Sequence, residues 1–450
     1  MTVIHAEAAL LEAGWARDVR LEVGADGRIA SVRSGDGTPG AEIRVGTLLP
    51  APANVHSHAF QRAMAGRTER RSTGTDSFWT WRREMFRFLD LLTPEDVEAV
   101  AALVQMEMAE AGYGACVEFH YVHHAPGGMP YGDRAEMAGR IVAAAGRTGL
   151  GLTLLPVLYR FGGCDGRPLG PGQVRFGCDP EGFARLHEGS AAHLARLPPD
   201  AALGVAPHSL RAVAPDDLDR LAATRGPIHI HLAEQVAEVE EVRAALGARP
   251  VEWLLAHAPV DGRWCAIHCT QMEPAETEAL GRSGAVAGLC PITESNLGDG
   301  IFDGVRWLGA GGRIAVGSDS NVRIALAEEL RTLEYSQRLR DRSRAALAEP
   351  EGSTGRRLFE AVCRGGAQAA GRDCGSLAPG RWADLLALDG PAAALFPGEE
   401  DARLDAWIFA GGDGFVSHLW SAGRHVVRGG RHVARDRIVA DYLRAMERLA

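Results

Sequence analysis

The chain has no lysine; its 48 basic residues are all arginine. Biased base composition accounts for this most simply, yet the absence removes one chemical option, taken up below. The eight cysteines, at 116, 164, 178, 265, 269, 290, 363 and 374, include no C-x-x-C pair. They read as reduced thiols of a cytosolic protein. No uninterrupted apolar run approaches the ~20 residues that a membrane helix needs. The opening Met-Thr-Val-Ile-His-Ala-Glu lacks a basic n-region, so no secretory signal is expected. Positive charge is in deficit: the net charge of −10 argues against nucleic acid or an anionic membrane as partner. Internal repeats and low-complexity linkers are also missing.

What is present is an ordinary globular balance. The 450 residues are 46% hydrophobic and 24% charged, enough for one large domain with a smaller one. Residues 1–47 read as short strands and turns, with Asp26-Gly27 as a hairpin signal between Leu21-Glu-Val and Ile29-Ala-Ser-Val. From 48 to 374 strand, loop and helix alternate. Thr93-Pro94-Glu95-Asp96 starts a helix whose apolar stripe runs to Gly112. Strands are predicted at Leu48 and over 115–119, 152–157, 203–206, 227–231, 264–268, 285–289 and 313–316. Eight such units predict an α/β fold, a (β/α)8 TIM barrel; an open doubly wound sheet is the alternative. The Gly- and Pro-rich run 160–179 reads as a long loop over the strand ends. Beyond 375 the β texture returns, at 383–388, 406–409, 416–420 and 424–427. Residues 375–435 then join 1–47 as one small β-sandwich domain built from both termini, and 436–450 read as a terminal helix.

In a barrel of this kind the residues just past each strand line one rim, where the chemistry sits. His56 and His58 follow the first strand, spaced so that both imidazoles leave an extended segment on the same side. Alone, such a pair is a weak signal. His231 and Glu234 follow the fifth strand, His268 the sixth and Asp319 the eighth. Each has a plain structural alternative: His231 alternates with His229, and Asp319 could cap a turn. Their joint occurrence in strand order favours a site. Three imidazoles (His56, His58, His231) and one carboxylate (Asp319) suit a single Zn²⁺ with a position left for water, whose pKa falls from ~16 toward ~7. Glu234 is placed to shuttle the proton, and His268 to face the developing tetrahedral centre.

These segments carry a resemblance. Leu-Pro-x-x-x-Asn-x-His-x-His at 49–58, His-Leu-Ala-Glu at 231–234, His268, Gly-Ser-Asp-Ser at 317–320 and Gly-Ser-Leu-x-Pro-Gly-x-x-Ala-Asp-Leu-Leu at 375–386 together resemble the amidohydrolase superfamily. Within it, His56-Ser-His-Ala-Phe-Gln-Arg62, Phe78-Trp-x-Trp-Arg82, Glu118-Phe-His-Tyr-Val-His-His124, Pro207-His-Ser-Leu-Arg211 and Cys290-Pro-x-Thr-Glu-x-Asn-Leu-Gly-Asp-Gly300 are similar to the formimidoylglutamate deiminases of histidine degradation. Asn321 stands where that pattern has histidine, and Arg323 is a second departure. The missing lysine now matters: two-metal members bridge their ions with a carboxylated lysine, so one metal is expected here.

The resemblance implies hydrolytic deimination of N-formimino-L-glutamate, a small dicarboxylate, to N-formyl-L-glutamate and ammonia. It also implies a cytoplasmic homodimer. Arginine forks suit two carboxylates, so Arg82 and Arg211 are the expected clamps, with Gln61, Tyr121 and His208 completing the hydrogen bonds. Trp79 and Trp81 read as loop packing, and Glu118, His123 and His124 as structural. The alternative within the family is a deaminase of a purine, pterin or nucleoside-like ring, which would want an aromatic-lined pocket instead of two arginines. A metal-binding scaffold without activity would need neither Glu234 nor His268.

Overall fold

The computed structural model describes residues 1–35, 40–69 and 78–449. Eight parallel strands form the barrel: Ala53–Ser57, Ala115–His120, Gly151–Leu158, a fourth in two pieces (Ala202–Leu203 and Ala206–Pro207), Ile228–Leu232, Trp264–His268, Val286–Leu289 and Arg313–Val316. They are joined as two half-sheets. Bridges Val205–Ile228 and Ser209–His231 close one seam, and Ser57–Asp319 the other. Almost every strand residue is buried, as expected where helices cover the outside and side chains fill the inside.

The seam between the eighth and first strands sets the site. The Asp319 N–H donates to the His56 carbonyl at 2.9 Å, and the His58 N–H to the Asp319 carbonyl at 2.9 Å. The backbones run so close that a Cβ on Gly317 would lie 2.6 Å from the His56 nitrogen, so a side chain there would force the strands apart. The helix Thr354–Ala369 packs across this seam, and the helix Pro94–Ala111, which follows the first strand, starts as its sequence predicts. The Asp96 N–H donates to Thr93 Oγ1 at 3.2 Å, the Thr93 N–H donates back to Asp96 Oδ2 at 3.2 Å, and the helix stops at Gly112 with φ 103°.

A second, eight-stranded sheet draws on both ends of the chain. Its order is Arg431–His432, Arg424–Arg428, His418–Ser421, Leu385–Ala387, Ile43–Pro50, Thr2–Leu11, Gly14–Val23, Ile29–Ser34. Leu48, expected in the first barrel strand, belongs to this sheet. It pairs with Ala9 and Ala387, and the first barrel strand begins beyond Pro52. The terminal sheet is tied to the barrel through Arg372. This guanidinium donates to Asp384 at 2.7 and 2.9 Å and to Asp200 Oδ2 at 2.9 Å, while Arg424 donates to Asp200 at 2.8 Å. The terminal helix Arg435–Leu449 packs on Pro94–Ala111.

One further expectation fails. Residues 406–409 are not a strand but the end of the helix Asp401–Phe409. Leu404, Trp407 and Ile408 are buried at helical spacing, and Trp407 packs edge-on against Phe359, ring centres 5.8 Å apart. Tertiary burial on a helix face overrides the β preference of Trp-Ile-Phe.

Candidate metal centre and active site

The barrel's C-terminal rim brings the predicted ligands together. His56 Nε2 lies 3.1 Å from His231 Nε2, and His58 Nε2 lies 3.3 Å from the same atom. Asp319 Oδ1 is 3.5 Å from His56 Nε2 and 3.4 Å from His58 Nε2. Two imidazoles have their orientation fixed from behind. His58 Nδ1 donates to the Phe119 carbonyl at 3.0 Å, and His231 Nδ1 to the His208 carbonyl at 2.9 Å. A carbonyl only accepts, so each Nδ1 carries its ring's proton. Their Nε2 atoms therefore aim lone pairs at one another.

Burial, with a contribution from His58, pushes His56 down to about 3. Burial likewise lowers His58 and His231. All three are neutral at pH 7, the form that ligates. Burial alone would raise the Asp319 carboxyl, but its contact with His56 and the charge of the raised His268 outweigh it and lower the group. Ligands ~2.0–2.1 Å from a tetrahedral ion sit roughly 3.3–3.4 Å from one another, the spacing found here. Mutually facing lone pairs with a carboxylate beside them fit a divalent cation. His268 and Asp319 sit at φ 72° and 49°, a left-handed backbone that costs energy and is retained at functional sites.

The proton-handling groups stand beside this centre. His268 Nε2 is 3.8 Å from Glu234 Oε1 and 3.8 Å from Asp319 Oδ2. Its Nδ1 lies 3.3 Å from Glu294 Oε1, which also accepts the Cys290 N–H at 2.8 Å. Burial would lower His268, but Glu234, Glu294 and Asp319 lift it to about 10. Burial raises Glu234, opposed by the His268 charge.

A small cavity of about 50 Å³ opens above these groups, lined among others by Gln61, Arg82, Tyr121, His208 and Arg211. Gln61 Nε2 donates to the Tyr121 hydroxyl at 2.8 Å, and among the described residues its Oε1 has no partner. Arg82 Nη2 donates to the Tyr159 hydroxyl at 3.0 Å. His208 stacks obliquely on Tyr159, ring centres 4.4 Å apart. Arg211 is buried, and among the described residues its Nε has no partner. Phe176, Met85 and Leu297 supply apolar wall. Trp81, expected only to pack its loop, instead lines the cavity, while the side chain of Trp79 lies outside the described residues.

Glu118, His123 and His124 do not line the cavity. Glu118 accepts the Ala59 N–H at 2.8 Å, and the two histidines reach the Val157 and Gly177 carbonyls at 2.9 and 2.7 Å. Asn321 is a buried clip: it accepts from Ser318 Oγ at 2.6 Å and donates to Ser57 Oγ at 3.2 Å and to the Asp319 carbonyl at 3.1 Å. Its φ of 55° is one asparagine tolerates well. Arg323 points outward to Glu328. Two acidic residues were given no role by the sequence reading, Glu294 behind His268, quoted only within the 290–300 run, and Glu238 behind Glu234. Each lies four residues after a rim residue, at the start of a helix, the only sequence signal available.

Comparison with known proteins agrees with this geometry. The family model described as "Amidohydrolase family" matches residues 47–426. A model described as "Formimidoylglutamate deiminase HutF, N-terminal domain" matches residues 1–45. The formimidoylglutamate deiminase of Pseudomonas aeruginosa is 48% identical, covering 100% of both chains. A 5-methylthioadenosine/S-adenosylhomocysteine deaminase of Natronomonas pharaonis is 26% identical over 91% of this chain and 86% of its own. Among solved structures, an amidohydrolase from Brucella melitensis superposes with a TM-score of 0.96 at 48% identity, covering 100% of both chains. A zinc-bound adenosine deaminase from Xanthomonas campestris superposes at 0.81 with 22% identity, covering 100% of this chain and 98% of its own, a likeness of fold.

Proposed function

Because this chain belongs to the amidohydrolase family, we propose that it is a hydrolase of C–N bonds that converts N-formimino-L-glutamate and water to N-formyl-L-glutamate and ammonia, a step of histidine degradation. The observation that carries the reading is the pairing of the imidazole–carboxylate cluster with buried Arg211 in one cavity. The relative from Pseudomonas aeruginosa, matched end to end, supports the substrate.

His56, His58, His231 and Asp319 would hold one Zn²⁺, with no lysine available to bridge a second. When bound, such an ion brings a water's pKa toward neutrality and stabilises charge that develops in the transition state. Glu234 takes the proton of the attacking water and delivers it to the imino nitrogen, helped by the carboxylate of Asp319. His268, raised by its three carboxylates, faces the tetrahedral carbon as a donor. Glu234 then carries the remaining hydroxyl proton to the same nitrogen, the C–N bond breaks, ammonia leaves and the formyl group remains. Arg211 and Arg82 bind the two carboxylates, with Tyr121, Gln61 and His208 filling the hydrogen bonds between them. A purine-like ring would offer the buried Arg211 guanidinium no carboxylate to bind.

The test is ammonia release from N-formimino-L-glutamate by the zinc-loaded protein, with N-formyl-L-glutamate identified by NMR. No release, together with turnover of an aminopurine, would overturn the substrate.

A further inference from the structure

The seventh barrel strand ends at Leu289, and the chain turns at Cys290 into the short helix Pro291–Leu297. Glu294 lies in the first turn of that helix and is buried. Its Oε1 reaches back to accept the Cys290 N–H at 2.8 Å, a donor that the start of a helix leaves over. Capping alone would explain the residue if this oxygen had no second task. It has one: His268 Nδ1 lies 3.3 Å from the same atom. The helix that carries the carboxylate is itself pinned. The Ile292 N–H donates to Glu329 Oε2 at 2.9 Å, and the Thr293 and Ser320 hydroxyls are hydrogen-bonded at 2.9 Å.

The His268 ring has little else to orient it. Among the described residues, Glu294 is its one side-chain hydrogen-bond partner. The ring stacks on His231, centres 5.6 Å apart and planes 11° from parallel. Stacking fixes the plane of an imidazole but not which edge faces the cavity. A half-turn about Cβ–Cγ keeps the plane and puts carbon where nitrogen was. In the orientation found, Nδ1 meets Glu294, and Nε2 lies 3.8 Å from Glu234 Oε1 and 3.8 Å from Asp319 Oδ2. In the other, Cδ2 would meet the carboxylate and Cε1 would face the reacting groups. An ionised carboxylate only accepts, so it favours the edge that carries an N–H.

We propose that Glu294 is a positioning residue: through Nδ1 it selects the orientation of the His268 ring that presents Nε2 to the reacting carbon. The proposal rests on the reading of His268 as the donor facing the tetrahedral centre. Glu294 does not line the cavity, so its effect on turnover passes through that ring.

Glu294→Gln keeps the shape but offers an amide, whose oxygen accepts less strongly and whose nitrogen donates, so the ring edge is no longer decided. In the zinc-loaded protein kcat should fall ~10-fold, the worth of charge assistance in one hydrogen bond. Glu294→Leu, with no acceptor, should lose ~10²-fold through misplacement of the ring. In both, KM should stay within about threefold of wild type, and zinc content by elemental analysis should be unchanged. In a His268→Asn background the same substitutions should change kcat by less than about twofold, because no ring remains to orient. If the leucine variant does not fold, the glutamine variant carries the test alone. A Glu294→Gln kcat equal to that of wild type, an equal fold-loss in the His268→Asn background, or loss of zinc in step with kcat overturns the proposal and leaves His268 as the donor. A His268→Asn protein with the wild-type kcat overturns the donor reading and the proposal together.

Discussion

His58 and His231 point unprotonated nitrogens at each other across 3.3 Å. Each ring has committed its one proton to a carbonyl of a neighbouring barrel strand, Phe119 for the one and His208 for the other. Two lone pairs at that range repel unless a cation lies between them. The fold therefore builds the ligand orientation into strand positions, before any ion arrives.

Glu234 should be separable from the ligand set. Glu234→Gln removes the proposed proton carrier without touching the four side chains proposed as ligands. We expect kcat to fall ~10²- to 10⁴-fold with bound metal unchanged by elemental analysis. Loss of metal in parallel with activity would place Glu234 in the ligand shell instead.

Arg211 should act on binding more than on chemistry. Arg211→Met should raise KM ~10- to 100-fold, the worth of hydrogen bonds between charged partners, with a smaller change in kcat. Steady-state kinetics reads both. An unchanged KM would remove Arg211 from the clamp.

Glu118 gives a pH dependence of stability with a defined sign. Burial pushes its carboxyl from 4.5 up to about 8. The folded chain then holds this proton more tightly than the unfolded chain does. Its contribution is complete below pH 4.5 and is lost as pH rises through the folded value. Denaturant melts between pH 5 and 8 should show a loss of stability that is shallower in Glu118→Gln. Identical pH slopes would show that Glu118 titrates no differently on folding.

The Arg372 network joins the terminal sheet to the barrel through two buried carboxylates. Arg372→Met leaves Asp200 and Asp384 buried with their main partner gone. The expected loss is about 3–5 kcal/mol, read by chemical denaturation. A loss below about 1 kcal/mol would mean that the carboxylates rearrange to water or to Arg424.

The rim residues were legible because their signal is local. A histidine two residues from another at a strand end, or a serine-aspartate turn after a short apolar run, carries its meaning in a few neighbours. Leu48 was misplaced because its partners, Ala9 and Ala387, are remote in sequence and no local pattern names them. The helix Asp401–Phe409 was hidden because its β-favouring residues are held helical by the core they bury. Glu238 had no visible signal, and Glu294 stood in the 290–300 run without a role, for a related reason: they touch backbone N–H groups and a ring nitrogen, and neither kind of partner leaves a mark in composition. Asn321 stood out only as a departure, and the structure gives it a mechanical task, pinning Asp319 to the first strand.

The most direct measurement is a titration of chelator-stripped protein with Zn²⁺, following ammonia release from N-formimino-L-glutamate. Activity should climb in proportion to added metal and level off at one equivalent per chain, with His231→Ala failing to recover it at that stoichiometry. Full activity in the stripped protein, or a plateau only at two equivalents, would contradict a single ion held by His56, His58, His231 and Asp319.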